Sequence, residues 1–213
     1  MNDQSERRDT IVRYSAGDRT NHWVVAICFL LLALSGLALF HPAMFWLSNL
    51  FGGGTWTRIL HPFIGVVMFV AFILLSMRVW SDNRMSQRDW QWLKQWREVI
   101  GNREENVPEA GRYNGGQKLL FFVLVLCMLG LLVSGFVIWR PYFAPYFPVG
   151  LARLAATLHA ICAFAMICAI IIHVYAGIWV KGSVSAMTRG TVTPGWAWKH
   201  HRAWFRDMIR RGP

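Results

Sequence analysis

The sequence is poor in acidic residues, and it lacks charge of either sign over long stretches. Of its 213 residues, 11 are Asp or Glu and 22 are Lys or Arg, and no charged residue occurs between Leu154 and Val180. Its four cysteines form no C-x-x-C or C-x-x-C-H pattern, which excludes the usual signatures of zinc, iron–sulfur and covalent c-type haem sites. All four cysteines fall in apolar stretches, so we expect them to be small packing residues.

The stretches without charge are long hydrophobic segments. Hydrophobic residues make up 55% of the chain, and four apolar segments approach the roughly 20 residues that a membrane span needs. The first segment follows a polar arm without a small-residue cleavage site, so it is predicted to be a span and not a signal peptide. The sequence predicts one all-α membrane domain over residues 1–213, with spans at about 23–40, 59–77, 119–139 and 154–180.

The positions of the Lys and Arg residues predict the orientation of the chain. Nineteen of the 22 lie in the N-terminal arm, the central loop and the tail at 181–213, and three lie in the other two loops. Because positive loops stay inside, both termini are predicted to be cytoplasmic. The net charge of +11 is explained by basic loops at an anionic lipid leaflet, without nucleic acid.

The central loop contains a predicted interfacial helix at about 86–100. Ser86 and Asp89 have the spacing of a capping box at its start. Aromatic and aliphatic residues recur on one face of this helix, and basic residues lie nearby, which favours contact with the membrane surface over contact with a partner protein.

The two halves of the chain resemble each other. Arg13-Tyr14 recurs 99 residues later as Arg112-Tyr113, and the pair Ser35-Gly36 recurs as Ser134-Gly135. His61 and His159 begin the second span of each half in the same way, each after a leucine. We interpret the chain as a bundle of two parallel two-helix repeats, which would bring His61 and His159 together.

Four histidines lie at matching depths in the predicted spans. His22 and His173 lie towards the cytoplasmic side, and His61 and His159 lie towards the outer side. His159 and His173 are 14 residues apart on one helix, which places them on nearly one face and about 21 Å apart. Two histidines on facing helices can supply both axial ligands of a haem, so the pattern predicts two haems, held by His22 with His173 and by His61 with His159.

The same residue types can also have simpler roles. A histidine at a membrane surface is usually satisfied by water, but four at matched depths favour haem. His41 lies about 100° around the helix from His22 and is predicted not to be a ligand, whereas His200 and His201 are predicted to be solvated in the basic tail. Glycines in the spans suit close helix packing or a porphyrin face, and no site is assigned to them.

Several motifs resemble the cytochrome b (gamma) subunit of respiratory, membrane-bound formate dehydrogenase, and the resemblance covers nearly the whole chain. The polar residues of these motifs recur in order between the spans. They are Arg8-Asp9-Thr10-Ile11-Val12-Arg13-Tyr14, Asn21-His22-Trp23, Leu60-His61-Pro62-Phe63, Gly111-Arg112-Tyr113-Asn114, Ile138 to Pro145, His173 to Gly182, and Trp198-Lys199-His200-His201.

This resemblance implies a function and a set of sites. The family has two b-type haems, and its ligands map onto the same four histidines. Its members accept electrons from an outer-side iron–sulfur beta subunit, which a molybdenum or tungsten alpha subunit supplies by oxidising formate. They pass the electrons to menaquinone or ubiquinone near the cytoplasmic face of the bacterial inner membrane, in anaerobic respiration. The family's quinone site maps beside His173, onto Asn114 and Gln117.

Alternative functions stay open at this stage. The cytochrome b subunit of a hydrogenase or a related dehydrogenase would have similar spans and ligands. A protein of another class, a haem-free membrane anchor or a transporter with histidine proton relays, would also keep histidines in its spans. The sequence leaves the oligomeric state of the complex open.

Overall fold

The computed structural model describes residues 10–101, 103 and 106–211, and in this part of the chain helices dominate. Two short strands, β1 (Ile11–Val12) and β2 (Thr191–Val192), pair antiparallel, with Ile11 opposite Val192. Short 3₁₀ helices cover Pro42–Phe51, Ser81–Asn83 and Ala144–Tyr146. The α-helices are α1 (Ala16–Phe40), α2 (Gly54–Val79), α3 (Gln87–Lys94), α4 (Trp96–Ile100), α5 (Gly115–Ile138), α6 (Val149–Trp179), α7 (Ser183–Thr188), α8 (Pro194–His200) and α9 (Arg202–Arg211).

Four of the described helices, α1, α2, α5 and α6, are long and apolar enough to cross a membrane. Between 11 and 22% of the residues in the most apolar window of each helix are buried inside the protein, so most residues there keep some exposed surface. An apolar surface of this extent needs a lipid environment, because water would disfavour it. The predicted all-α architecture with four spanning helices is confirmed.

The spanning helices begin earlier than the apolar segments predicted. α1 starts at Ala16, because Ser15 and Asp18 form a reciprocal cap: each backbone N–H donates to the other residue's side-chain oxygen, at 3.2 Å. Asn114 and Gln117 form the same reciprocal cap 99 residues later at the start of α5, with distances of 3.0 and 2.9 Å. Polar caps extend a helix beyond its hydrophobic stretch, which hydropathy alone does not register.

Residues 20–76 and 123–172 form one compact unit, called here the helical unit. Sulfur-containing side chains make up most of its buried core. Cys28 and Cys127, which were predicted to be packing residues, are buried there beside methionine and phenylalanine side chains. Asn21 adds a polar contact by donating from its side-chain amide to the carbonyl of Ala71, at 3.1 Å. The cluster's fully buried members are Cys28, Met68, Phe72, Cys127, Met128 and Met166.

Residues 10–19, 77–122 and 173–211, where described, form a second compact unit, called here the terminal unit. Its predicted helix at 86–100 is present but divided, because α3 and α4 are separated at Gln95. The predicted capping box of Ser86 and Asp89 is confirmed. Burial raises the pKa of Asp89. Hydrogen bonds from Lys118, at 2.8 Å, and from Ser86 lower it by more, so the pKa of Asp89 lies below its usual value.

Two arginines form a reciprocal clasp in the terminal unit. Arg13 Nη2 donates to the carbonyl of Arg112 at 2.6 Å, and Arg112 Nη2 donates to the carbonyl of Arg13 at 2.8 Å. The hydroxyls of Tyr14 and Tyr113 meet at 3.2 Å. In both contacts the partners are 99 residues apart, which supports the repeat inferred from the sequence.

The prediction that His201 is solvated is wrong. Its side chain is 1% exposed, because the tail folds back so that His201 Nδ1 lies 2.8 Å from the carbonyl of Gly111. A carbonyl can only accept, so Nδ1 carries the proton, and Nε2 accepts from Arg13 at 3.3 Å. The basic composition of the tail gave no sign of these contacts, while His200 stays partly exposed.

The surroundings of His201 keep its ring neutral. Burial, and then the charge of Arg13, lower the pKa of His201 to about 3. The Arg13 guanidinium lies over the rings of Trp196 and Trp204, at 5.0 and 4.8 Å from their centres, which offsets part of the cost of burying its charge. Protonation of His201 would place a second cation against Arg13 in a buried cluster.

The terminal unit is therefore expected to lose stability as pH falls below about 6.5, the pKa of a histidine in an unfolded chain. The unfolded state binds the His201 proton between about pH 6.5 and 3, whereas the folded state does not. Stability is fully present above that window and falls by about 1.4 kcal/mol per pH unit within it.

The variant His201→Gln provides the test, because glutamine can keep both hydrogen bonds without titrating. Thermal unfolding of the detergent-purified chain between pH 5 and 8 should show a lower midpoint at acid pH for the wild type. The midpoint of the variant should not show this decrease at acid pH. Equal pH profiles for the two proteins would contradict the assignment.

Candidate functional site

His61 on α2 and His159 on α6 face each other inside the helical unit. Their ring centres are 6.3 Å apart, and the ring planes are inclined by 64°. Both histidines lie one turn or more inside their helices, where the chain is apolar. The structure thus brings together the two residues that the sequence repeat paired.

A serine hydroxyl lies close to Nδ1 of each of these imidazoles. Ser35 Oγ lies 2.8 Å from His61 Nδ1, and Ser134 Oγ lies 3.0 Å from His159 Nδ1. Both serines are buried, at 0 and 1% exposure. They leave the other ring nitrogen, Nε2, as the atom of each imidazole that remains for a ligand.

A glycine follows each serine and lies against the same ring. A Cβ atom added at Gly36 would lie 3.4 Å from His61 Cε1, and one added at Gly135 would lie 3.2 Å from His159 Cε1. Space for a side chain is therefore tighter at Gly135 than at Gly36. A Ser-Gly pair thus lies against each of the two facing imidazoles, once in each half.

The inner pair predicted from depth is divided between the two units. His22 lies on α1 in the helical unit, and His173 lies near the end of α6, in residues assigned to the terminal unit. Their pairing stays a prediction. His41 caps the 3₁₀ helix at Pro42–Phe51, where its Nδ1 accepts from the backbone N–H of Ala43 at 3.2 Å.

Asn114 and Gln117, predicted to contact a quinone, lie together in the cap of α5. The cap uses the side-chain carbonyl oxygen of each residue. Both side chains keep an amide NH₂ group that can donate to another molecule. Gln117 is exposed, and Asn114 is half-buried.

The facing imidazoles suit one metal atom between two axial nitrogens. With metal–nitrogen bonds of about 2 Å, two imidazoles on opposite sides of one iron have ring centres about 6 Å apart. The distance between His61 and His159 fits that requirement. Within residues 10–101, 103 and 106–211, no three His, Cys, Asp or Glu side chains gather as a bare metal ion would need.

Sequence reasoning assigned no function to Ser35 and Ser134. The signal was present, because the Ser-Gly pair recurs in both halves. The pattern did not say which residue each serine contacts, since His61 is 26 residues from its serine and His159 is 25 from its own.

Comparison with known proteins identifies a family and several relatives that match most of the chain. The family described as prokaryotic cytochrome b561 matches residues 13–190. The cytochrome b556(fdo) subunit of formate dehydrogenase from Escherichia coli is 48% identical over 203 residues, or 95% of each chain. The nitrate-inducible cytochrome b556(Fdn) subunit from the same organism is 43% identical over 93% of this chain and 91% of its own. The formate dehydrogenase cytochrome b556 subunit of Haemophilus influenzae is 40% identical over 93% of this chain and 84% of its own.

These relatives span nearly the whole chain. Four apolar helices and a match to membrane cytochromes make this a multi-pass membrane protein. Its relatives are subunits of an oxidoreductase complex, which supports an electron-transfer role. The chain thus belongs to the prokaryotic cytochrome b561 family, and membership of this family implies b-type haem.

Proposed function

We propose that this chain is the dihaem cytochrome b subunit of a formate dehydrogenase. It carries electrons from an outer-side iron–sulfur subunit to a quinone near the cytoplasmic face, while a molybdenum or tungsten subunit oxidises formate. The names of the relatives and the order of the sequence motifs support this complex. The observation that carries the proposal is the pair of facing imidazoles at His61 and His159, with ring centres 6.3 Å apart.

His61 and His159 are the proposed ligands of the outer haem, and His22 and His173 those of the inner haem. Bound haem supplies a reversible one-electron couple. The protein's part is to hold imidazole nitrogens at fixed positions in an apolar surrounding, which keeps water away from the metal. α6 supplies one proposed ligand to each haem, so its rigidity sets the separation of the two sites, about 21 Å along its axis.

The proposed ligation predicts the loss of a b-type signal from a single substitution. His61→Ala should remove the outer-haem component from the reduced-minus-oxidised spectrum of the purified complex, because the haem would lose one of its two proposed protein ligands. His41→Ala is the matched control, since His41 caps the 3₁₀ helix at Pro42–Phe51 and is not a proposed ligand. A wild-type preparation that is well folded and contains no haem would defeat the proposal.

The composition of the purified complex tests the proposed partners. A tag on this chain should recover a molybdopterin or tungstopterin subunit and an iron–sulfur subunit together with formate-dependent reduction of the b-type signal. Recovery of hydrogenase subunits in their place would assign the chain to the alternative complex.

We propose Asn114 and Gln117 as quinone contacts. Their amide NH₂ groups are donors, and the carbonyl oxygens of a quinone are acceptors. The equivalent cap of α1 has Ser15 and Asp18 at these positions, with the same hydrogen bonds but no amide. Substitution by the equivalent residues therefore removes the donors while it keeps the helix start.

Asn114→Ser and Gln117→Asp should each raise the KM for quinone about five- to tenfold, the effect of one lost hydrogen bond of about 1 kcal/mol. The haem spectrum should stay unchanged, because the cap is retained. Quinone kinetics of the complex in proteoliposomes provide the measurement. Unchanged kinetics in both variants would place the quinone elsewhere.

The proposed direction of electron flow would conserve energy. Electrons that enter outside and protons that are taken up inside separate charge, and each charge moved against 100 mV stores about 2.3 kcal/mol. Quinone reduction by oriented vesicles should therefore consume protons on the side that carries the chain termini. Proton uptake on the opposite side would exclude this direction.

A further inference from the structure

The serines behind the two facing histidines have a defined hydrogen-bond direction. Ser35 Oγ donates its single proton to the carbonyl of Leu31 at 2.7 Å, and Ser134 Oγ donates to the carbonyl of Gly130 at 2.5 Å. Each hydroxyl has one proton, so toward the imidazole it can only accept.

It follows that Nδ1 of each imidazole carries a proton and donates it to the serine. Neutral imidazole has one N–H, so Nε2 of both His61 and His159 presents a lone pair. That lone pair is what a metal needs. The serine therefore determines which ring nitrogen is available, and it also fixes the rotation of the ring.

We propose that Ser35 and Ser134 are positioning residues that hold His61 and His159 in the iron-binding tautomer and tune the reduction potential of the outer haem. This inference rests on the proposed ligation by these two histidines. A histidine that donates its second N–H to an oxygen is a stronger base toward its metal, and this favours the ferric state.

A local back-bond alone would not account for the arrangement. Serine and threonine hydroxyls inside membrane helices often donate to the carbonyl four residues earlier. Thr157 does so toward Arg153 at 3.2 Å, but it lies on the exposed side of α6 and contacts neither facing histidine. Ser35 and Ser134 make the same back-bond while buried, and each also meets a proposed ligand.

The two halves match in these contacts. Ser35 Oγ lies 2.8 Å from His61 Nδ1, and Ser134 Oγ lies 3.0 Å from His159 Nδ1. Removal of either serine would take away the oxygen that accepts the imidazole N–H in an apolar core, so each single variant should have an effect.

The test uses the full complex with Ser35→Ala, Ser134→Ala and the double variant. Redox titration of the outer haem should give a higher midpoint potential in each variant, with the double variant shifted most. The electron paramagnetic resonance g-values of the ferric outer haem should shift as well, since the ring is free to rotate. Haem affinity should fall about tenfold or more.

Conservative variants and a matched control separate positioning from packing. Ser35→Thr and Ser134→Thr keep the hydroxyl and should restore the wild-type potential. Thr157→Val removes a back-bond without touching a ligand, and it should shift nothing. The inner haem provides an internal reference, and its potential should stay at the wild-type value in all variants.

Ser35→Cys keeps a side chain of similar size with a weaker acceptor. The midpoint potential of the outer haem in this variant should lie between those of the wild type and Ser35→Ala. The cysteine variant replaces the alanine variant in the test if the alanine variant does not assemble. Unchanged potential and g-values in the assembled serine variants would overturn the inference. If His61→Ala also keeps the outer-haem signal, the proposed ligation fails as well. If that signal is lost while the serine variants match the wild type, the ligation stands and only the role of the serines is refuted.

Discussion

An imidazole inside an apolar bundle has two ring nitrogens, and both need a partner. This requirement governs the centre of the helical unit. At His61 and at His159, Nδ1 lies within hydrogen-bond distance of a buried serine oxygen, and the centres of the two rings are 6.3 Å apart. A buried polar group without a partner costs several kcal/mol, so the second nitrogen of each ring also needs one, which the proposed haem iron would provide. The serine, the glycine beside it and the histidine therefore act together, once in each half of the chain.

Buried polar groups also need partners in the terminal unit, where these groups are arginines and a histidine. Arg13 is 4% exposed, and its charge is distributed among a carbonyl, the neutral ring of His201 and the faces of aromatic rings. Arg112 completes the arrangement by donating back to the carbonyl of Arg13. These contacts join the N-terminal arm, the start of α5 and the tail, three segments that are far apart in sequence.

Matched contacts recur at a spacing of about 99 residues. The arginine clasp and the tyrosine pair join equivalent positions directly, whereas the helix caps and the Ser-Gly pairs are repeated separately in each half. The two helix caps differ in their side chains. Asn114 and Gln117 carry amides where the first half has Ser15 and Asp18. The proposal that the α5 cap contacts a quinone rests on this difference.

Hydropathy in the sequence by itself determined the class of protein and its four spanning helices, because uncharged segments of about 20 apolar residues have the length and composition that a bilayer-spanning helix needs. The matched positions in the two halves also predicted that His61 and His159 would meet. Only the tertiary structure decided where the short-range polar contacts lie: the serine behind each histidine, the buried place of His201, and the division of the loop helix at Gln95. Such contacts join residues 25 to 188 positions apart, and their partners depend on how the helices pack, which neither periodicity nor composition encodes.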